Sequence, residues 1–521
     1  MKKLVALFMA LTLLLSVCVG ASADSLCPYE GDEVVYAGYG ADLTISENRE
    51  TEVYRNYRTL TGNVSINWST APWADYDTKM ATMLNTGDLP DIAWFRDAPK
   101  VIANYGDLGY FLNFMDYLDY MPNLSQYLKD YPQYEYFKTE GGALYCVVDL
   151  QTIDRVSEGF FYNKTQLDAL GLEVPVTWDE MLTAMRALKA AKPESTPLIT
   201  YAWGLGIYQS YLSMINQSHR GFYYDGEKWT WAISDPNSGF KELVGMLNTL
   251  YTEGLISPEF STMSEDQYKQ IVMDGDWLFA PLYLGTIRNE IFMGDEPTYE
   301  YDWLPTPVMT ADQKPMLPIT VGYDALNYWG FFVNANVENP ELMCSYVDTI
   351  ISPEAGMAWM WGKQGLTYDF DENGSPYFLE GYTTVEQRSE AGIANFMDPR
   401  YIHNGGDLYQ LYLSYPEQDQ LIMDRMMEGL VSGAYTYQYP LRRTPLFTAA
   451  ENETIGFSTT PMNTYADENI IQFIDGTRDM GEWDNFVAEV LEYGNLEEVL
   501  ETYENAKQII FSTERRFVTY K

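Results

Sequence analysis

A short stretch of the chain, DFDENGSPYFLE, has the spacing of a calcium-binding loop. The EF-hand ligand positions are occupied by Asp369, Asp371, Asn373 and Glu380. The flanking sequences GLTYDF and SPYFL are strand-like rather than helical, and Pro376 lies where the loop needs a backbone N–H donor. We therefore favour a β-hairpin with a polar Glu-Asn-Gly turn, and calcium binding stays the less favoured alternative.

Catalytic motifs are scarce. The chain has two histidines, His219 and His403. Metal sites and catalytic triads that use histidine are therefore disfavoured. No G-x-S-x-G, Walker A or dinucleotide motif occurs. With 75 acidic residues, however, paired carboxylates remain available, and a retaining glycosidase needs two of them about 5 Å apart. A secreted glycoside-active enzyme therefore stays as an alternative, and we expect no cofactor.

Charge and aromatic content narrow the class of ligand. The formal net charge of −43 disfavours nucleic acid, anionic lipid and anionic solutes, which leaves neutral or cationic ligands. The chain has 43 Tyr, 13 Trp and 23 Phe, so tyrosine alone outnumbers the 32 basic residues. Tyr and Trp combine a flat apolar face with a polar edge. This composition suits a protein that stacks rings against sugars while carboxylates bind the sugar hydroxyls.

One predicted strand ends in two rings and an acid. In MLNTGDLPDIAWFRDAP a helix-like run stops at Gly87, and the apolar strand that begins at Asp91 leads to Trp94, Phe95 and Asp97. Ligands in α/β folds bind beyond the carboxyl ends of strands. We therefore expect a ligand to lie near the loop that holds Trp94, Phe95 and Asp97.

The surrounding pattern predicts the elements that position this loop. Strand-like segments at 34–36 and 64–68 precede an amphipathic helix over 73–84. Capping boxes at Thr177/Glu180 and Ser264/Gln267 begin two later helices. This alternation predicts an α/β fold with a largely parallel sheet. Because 521 residues exceed one core and no low-complexity linker occurs, we expect two domains between which the chain crosses several times.

The first 23 residues have the features of a signal peptide. Lys2 and Lys3 precede an apolar run that is shorter than the ~20 residues of a spanning helix, and Ala21-Ser22-Ala23 matches a cleavage site. We favour cleavage before Asp24 and hence an exported protein. A lipid anchor at Cys18 is the alternative, because LSVC resembles a lipobox. We expect the other three cysteines to be buried free thiols.

Six segments, in order, resemble the extracellular solute-binding proteins of ABC importers, family 1, the maltose-binding-protein-like group. The most specific tract is YNK…LGL..P.TWDE, from Tyr162 to Glu180, and the others include MLNTGDLPDIAWF, GDWLFAPLY and FFVNANVENPELMCSYVD. The last, EWDNFVAEVLEYGNLEEVLETYENAKQII, is similar to the closing helices of the larger Gram-positive members. The similarity extends from about residue 80 to residue 510.

The resemblance implies a fold, a function and further site residues. The expected fold is α/β, two-lobed and periplasmic-binding-protein-like (type II), with about three hinge crossings and a ligand cleft between the lobes. The predicted leader is 1–23, the N-terminal lobe 24–148 with 303–362, and the C-terminal lobe 149–302 with 363–521.

The predicted function is capture of a neutral carbohydrate, an oligosaccharide, and its delivery unaltered to an ABC permease by a monomeric protein. Peptide or cationic solutes stay as an alternative. The resemblance implies that Trp94 or Phe95, together with Asp97, contacts the ligand. Further candidate ligand-binding rings are Trp203, Tyr283, Trp329, Trp361 and Trp483.

Overall fold

The computed structural model describes residues 27, 29, 31–41, 51–150, 158–199, 205–292, 296–318, 326–372, 376–393, 417–438 and 442–510. The strands within this part of the chain are β1 (Val34–Ala41), β2 (Val64–Ala71), β3 (Ile92–Phe95), β4 (Cys146–Leu150), β5 (Glu158–Asn163), β6 (Phe222–Tyr224), β7 (Trp229–Trp231), β8 (Phe279–Tyr283), β9 (Tyr301–Leu304), β10 (Met316–Pro318), β11 (Leu326–Val333), β12 (Tyr368–Phe370), β13 (Pro376–Phe378), β14 (Thr436–Gln438), β15 (Arg442–Leu446) and β16 (Lys507–Ile510).

The α-helices are α1 (Glu52–Leu60), α2 (Trp73–Thr86), α3 (Ala98–Tyr105), α4 (Pro122–Asp130), α5 (Lys164–Ala169), α6 (Trp178–Ala191), α7 (Leu205–Asn216), α8 (Phe240–Thr252), α9 (Glu265–Asp274), α10 (Pro340–Ile350), α11 (Pro353–Met360), α12 (Val385–Glu390), α13 (Glu417–Ser432), α14 (Ala449–Asp475), α15 (Trp483–Val490) and α16 (Leu496–Asn505). A π-helix spans Thr286–Ile291.

The chain forms two compact units. Unit 1 consists of Met1–Gln151 and Ala325–Ser414, and unit 2 of Thr152–Asp324 and Tyr415–Lys521. The chain therefore passes three times from one unit to the other. The first changeover is within a few residues of the predicted one, whereas the other two differ from the predicted positions 303 and 362. The reason is tertiary pairing: β9 pairs with β5 of unit 2, and Phe378 of β13 packs on the core of unit 1.

Unit 1 is built on a five-stranded sheet in the order β2-β1-β3-β11-β4. Strand β1 pairs in parallel with both β2 and β3, whereas β11 runs antiparallel between β3 and β4. The carboxyl ends of β1 to β4 and the amino end of β11 therefore share one edge of the sheet. This arrangement matches the predicted α/β class and places the end of β3 beside the beginning of β11.

Unit 2 contains a three-stranded sheet in the order β8-β5-β9, and both pairings are antiparallel. The prediction of a largely parallel sheet thus fails for these strands. Phe160 and Tyr162 of β5 pack into a core with residues of α6, α7 and α8, and this core continues into the C-terminal helices α14 and α15. Glu158 begins β5 directly opposite Tyr283, which ends β8. One end of this sheet therefore brings an acid and a ring together.

Local sequence signals explain several helix boundaries. Helix α2 ends at Gly87, whose φ of 72° is readily adopted by glycine. The predicted capping boxes form at the starts of α6 and α9, where Thr177 and Ser264 accept hydrogen bonds from the third helical residue. Ser352 caps α11 in the same way, whereas Asn339 before α10 is left-handed and makes no side-chain cap.

Cys27, Cys146 and Cys344 are buried free thiols, as the sequence predicted. The leader and Cys18 lie outside the described residues. Within the described ranges, the helices are all too short or too polar to cross a membrane.

Candidate functional site

A row of aromatic rings lies at the shared edge of the unit 1 sheet. Trp94 of β3 and Trp329 of β11 stack with ring centroids 4.2 Å apart and an interplanar angle of 27°. Trp329 also contacts Tyr76 at 5.4 Å, and Tyr76 stacks on Tyr39 at 5.4 Å. Phe331 lies opposite Trp94 in the antiparallel pair, so Trp329, two residues earlier, is the diagonal neighbour on the same face. We call Tyr39, Tyr76, Trp94, Asp97 and Trp329 the unit 1 cluster.

Buried hydroxyl groups hold this row in place. The Tyr76 hydroxyl donates to the carbonyl oxygen of Trp94 at 2.5 Å, and the Tyr39 hydroxyl donates to the carbonyl oxygen of Tyr76 at 3.1 Å. Burial raises the pKa of Tyr76 far above its usual range and that of Tyr39 to about 12. Both hydroxyls therefore stay protonated, and both act as donors. The end of β3 is thus anchored to α2 through Tyr76.

Asp97 supplies the carboxylate of the unit 1 cluster. It precedes α3 in the left-handed conformation, with φ 56° and ψ 44°, and its side chain makes no capping hydrogen bond to that helix. Such a backbone is uncommon outside glycine, although aspartate tolerates it better than most residues, and it costs of order 1 kcal/mol. Asp97 is exposed. The nearby cation, Arg96, forms an ion pair with Asp77 of α2.

The unit 2 cluster consists of Glu158, Tyr211 and Tyr283. The first four residues of β8 are buried, whereas the terminal Tyr283 is 37% exposed. The hydroxyl of Tyr211, on α7, donates to a carboxylate oxygen of Glu158. Burial, and next the charge of Glu158, raise the pKa of Tyr211 well above its usual range, so this hydroxyl also stays a donor. A fixed carboxylate therefore lies across the strand pair from an exposed ring.

An open pocket of about 880 Å³ lies in unit 2, toward the opposite end of β5 from Glu158. Its wall contains Lys164, Arg288 and Arg425, and each cation is paired with a carboxylate of the same unit. Their carboxylate partners are Asp168 and Glu300 for Lys164, Glu296 for Arg288, and Asp302 for Arg425. Because these charges already satisfy one another, we assign no ligand to this pocket.

Three of the predicted ligand-binding rings are core residues. Phe95 is 0% exposed and packs against Phe332 at 5.6 Å, while Trp361 is 1% exposed and stacks on Phe378 at 4.6 Å. Trp483 is 5% exposed and lies 5.2 Å from Phe473 among the C-terminal helices. A ring without an open face cannot stack on a sugar, so we withdraw these three assignments.

The other predicted rings are placed differently. Trp94 and Trp329 come together in the unit 1 cluster, and both are partly exposed. Tyr283 lies in the unit 2 cluster. Trp203 lies outside the described residues. The sequence did not predict Glu158 or Tyr211 as site residues. Tyr211 follows a helical pattern that is typical of core residues. The acid that begins EGFFYN, directly before five buried positions, was the available signal for Glu158.

The calcium-like stretch forms the predicted hairpin. Strands β12 and β13 pair antiparallel, with Asp369 opposite Tyr377. Asp369 accepts hydrogen bonds from the Gln364 amide at 3.1 Å and from the Phe370 N–H at 2.9 Å, and the Gln364 bond holds its pKa below the usual range. Asn373 lies outside the described residues, whereas Asp371 and Glu380 are exposed. Across the described ranges, no cluster of three or more His, Cys, Asp or Glu residues could hold a metal ion.

Comparison with known proteins identifies related chains. A family model described as bacterial extracellular solute-binding protein matches residues 59–357. The fructooligosaccharide ABC transporter substrate-binding protein FusA of Streptococcus pneumoniae serotype 4 is 24% identical over 475 residues, which cover 83% of this chain and 82% of FusA.

Two solved structures show the same fold. The alginate-binding protein AlgQ2, in a structure without calcium ion, superposes with a TM-score of 0.71 at 17% identity over 93% of this chain and 99% of AlgQ2. S. pneumoniae FusA in complex with kestose superposes with a TM-score of 0.66 at 19% identity, covering 91% of this chain and 98% of FusA. At these identities the likeness establishes the two-lobed fold and leaves the ligand open.

Proposed function

The chain belongs to the family of bacterial extracellular solute-binding proteins, and from this premise we propose that it captures a neutral oligosaccharide for an ABC importer. The observation that carries the proposal is the unit 1 cluster, in which two stacked tryptophans lie at the sheet edge where β3 leads into the loop with the exposed Asp97. Sugar rings present C–H patches that pack on aromatic faces, and their hydroxyls donate to carboxylates in charge-assisted hydrogen bonds. The fructooligosaccharide named for FusA is consistent with this class of ligand.

We propose that the unit 2 cluster provides a second set of contacts. Tyr283 offers an open ring, and Glu158, oriented by Tyr211, offers a hydrogen-bond acceptor. Both clusters pair aromatic rings with carboxylates. Together with the net charge of −43, this chemistry favours uncharged sugars over uronic-acid chains such as alginate.

The proposed mechanism is binding without chemistry. Binding of the sugar would shift the population toward a lobe-closed form that docks on the permease, and the sugar would be released unaltered. The proposal includes export, with cleavage before Asp24 or lipidation of Cys18, and a monomeric state. Mass spectrometry of the mature N-terminus distinguishes the two forms of processing.

Calorimetric titration tests the ligand class. The purified protein is titrated with kestose, raffinose, maltotriose and an alginate trisaccharide, and we expect saturable binding of at least one neutral sugar and none of the alginate. The double variant Trp94→Ala, Asp97→Ala should abolish this binding, whereas Tyr120→Ala, which removes an exposed ring elsewhere in unit 1, should not. An unchanged affinity in the double variant would reject the assignment of the unit 1 cluster.

Product analysis separates transport from hydrolysis. Each neutral sugar is incubated with the protein and chromatographed for new reducing ends. We expect the sugar to be recovered intact, whereas turnover that disappears in Glu158→Gln would favour the glycoside-active enzyme. Binding of peptides or cationic solutes without any sugar would favour the other alternative.

A further inference from the structure

Asp419 is a buried carboxylate in the first turn of α13. It is 1% exposed, and it accepts hydrogen bonds from the backbone N–H of Gly285 at 3.1 Å and from the Tyr301 hydroxyl at 3.3 Å. Buried acids are rare unless hydrogen bonds or charges compensate their desolvation. The desolvation cost of this carboxylate is therefore offset by hydrogen bonds at a position outside both clusters. The partners of these bonds show which elements Asp419 connects.

The two bonds join three elements of unit 2. Gly285 lies two residues after Tyr283, adopts a φ of 83°, and leads into the π-helix Thr286–Ile291. Tyr301 is the first residue of β9. In addition to the bond from its hydroxyl to Asp419, its carbonyl oxygen accepts a hydrogen bond from the side-chain amide of Gln418, also in α13. The first turn of α13 is therefore hydrogen-bonded both to β9 and to the turn that follows the exposed ring of Tyr283.

The charge state of Asp419 determines how many bonds it can accept. Burial raises its pKa to about 6, against the opposing effects of the Tyr301 and Gly285 hydrogen bonds and of Arg288. Tyr301 faces it from β9 and Arg288 from the π-helix, where Arg288 is itself paired with Glu296. Above this pH the ionised carboxylate accepts both bonds. Once protonated, it loses the negative charge that strengthens both bonds and carries a donor of its own, so its hold on the Gly285 N–H weakens.

We propose that Asp419 is a positioning residue for sugar binding: by holding the Gly285 N–H it fixes the turn after β8 and keeps the ring of Tyr283 in its binding position. Acidification then loosens the turn and lowers the affinity for sugar. The inference rests on the proposed function for the assignment of Tyr283 as a ligand contact, whereas the control of ring position by Asp419 can be measured without any sugar.

Site-specific 3-fluorotyrosine at position 283 reports ring position by ¹⁹F NMR. The full chain is examined between pH 7.5 and 5, in the Glu158→Gln background, so that the carboxylate facing Tyr283 across the strands does not contribute. We expect one narrow resonance that shifts with a midpoint near pH 6. Adding Asp419→Asn should abolish this shift and broaden or split the line already at pH 7.5.

Asp424→Asn is the matched control, because Asp424 is also buried in α13. Asp424→Asn should lower thermal stability without changing the pH response of the Tyr283 resonance. If the role of Asp419 were purely structural, Asp419→Asn and Asp424→Asn would show the same pH response. A resonance in Asp419→Asn that titrates as in the parent would overturn the proposal. If Asp419→Asn does not fold, a pH-independent resonance in the Glu158→Gln parent overturns it equally well.

Kestose titration at pH 7.5 and 5 separates this inference from the proposed function. We expect an affinity about fivefold lower at pH 5 in the wild type, and a uniformly low, pH-independent affinity in Asp419→Asn. If the ¹⁹F results hold but none of the neutral sugars binds, the positioning role stands and the proposed function fails. If sugar binds with the same pH profile in both proteins, the positioning role fails and the function stands.

Discussion

The two clusters each combine a carboxylate with aromatic rings at the end of a strand, but they are organised by different means. In the unit 1 cluster, four rings contact one another in a row and the carboxylate of Asp97 comes from a left-handed residue that makes no side-chain bond to its own helix. In the unit 2 cluster, one ring is exposed and the carboxylate of Glu158 is held by a tyrosine from a helix 53 positions away in sequence. The rings of the unit 1 cluster are thus organised by packing and by hydroxyl bonds to the backbone, whereas in the unit 2 cluster a hydrogen bond holds the carboxylate itself.

This difference predicts which changes spread beyond one residue. Stacked rings support one another, so loss of one ring should disturb its neighbours and reduce affinity by more than its own contact. The carboxylate of Glu158, which accepts from a tyrosine hydroxyl, can lose its charge without disturbing the strand below it. The four variants that follow test this contrast, each assayed with the neutral sugar that binds best in calorimetry.

Trp329→Ala should have the largest effect. It removes the ring that contacts both Trp94 and Tyr76, so we expect a loss of at least about 2 kcal/mol in binding, roughly 30-fold in Kd. Calorimetry gives the affinity, and near-ultraviolet circular dichroism reports the loss of the tryptophan stack. Trp483→Phe, a change of a core ring in unit 2, should leave both signals nearly unchanged.

Glu158→Gln should have the next largest effect. The amide oxygen can still accept from Tyr211, but the charge-assisted bonds to sugar hydroxyls are lost, so we expect about a tenfold weaker Kd with an unchanged melting temperature. Equal affinities in Glu158→Gln and wild type would remove Glu158 from the proposed site. Phe457→Ala, which removes an 85% exposed ring in unit 2, is the matched surface control.

Tyr76→Phe isolates the anchoring of β3. The ring stays in the row, but the carbonyl oxygen of Trp94 loses its donor, which should lower the free energy of unfolding by about 1 kcal/mol. We expect affinity to fall about threefold, because Trp94 is less firmly placed. A stability loss with unaltered affinity would mean that this bond supports the fold alone.

Arg96→Gln should have the smallest effect. Its ion pair with Asp77 is largely exposed, with 39% and 55% of the two side chains accessible, so we expect a stability change of about 0.5 kcal/mol or less. Affinity for a neutral sugar should change less than twofold. A larger loss would show that Arg96 itself contacts the ligand and would extend the unit 1 cluster.

Much of the local structure followed from sequence signals of short range. Glycine and capping side chains marked the boundaries of α2, α6 and α9, because these boundaries depend on residues within one turn of the chain. The strand at 91–95 and the hairpin at Asp369 were predicted for the same reason. Six ordered segments were sufficient for the family, which the match over residues 59–357 establishes.

The choice between Trp94 and Phe95 depended on tertiary structure. Alternation along a strand implies that consecutive side chains face opposite ways, but it does not say which face the core occupies. Phe95 packs on Phe332 and Trp94 on Trp329, and both partners come from a strand more than 200 residues later. The same non-local pairing decided the changeovers between units and brought Tyr211 to Glu158.

Residues close together in the chain were sufficient to identify an acidic, tyrosine-rich member of this family, several of its helices and strands, and the strand end at which to look for a ligand. Contacts between distant segments determine which rings are exposed, that Tyr211 binds Glu158, and that Asp419 binds the turn after β8. The difference arises from how far apart in the chain the interacting residues lie. Helix caps and strand periodicity depend on neighbouring residues, whereas burial and hydrogen-bond partners depend on how distant segments pack.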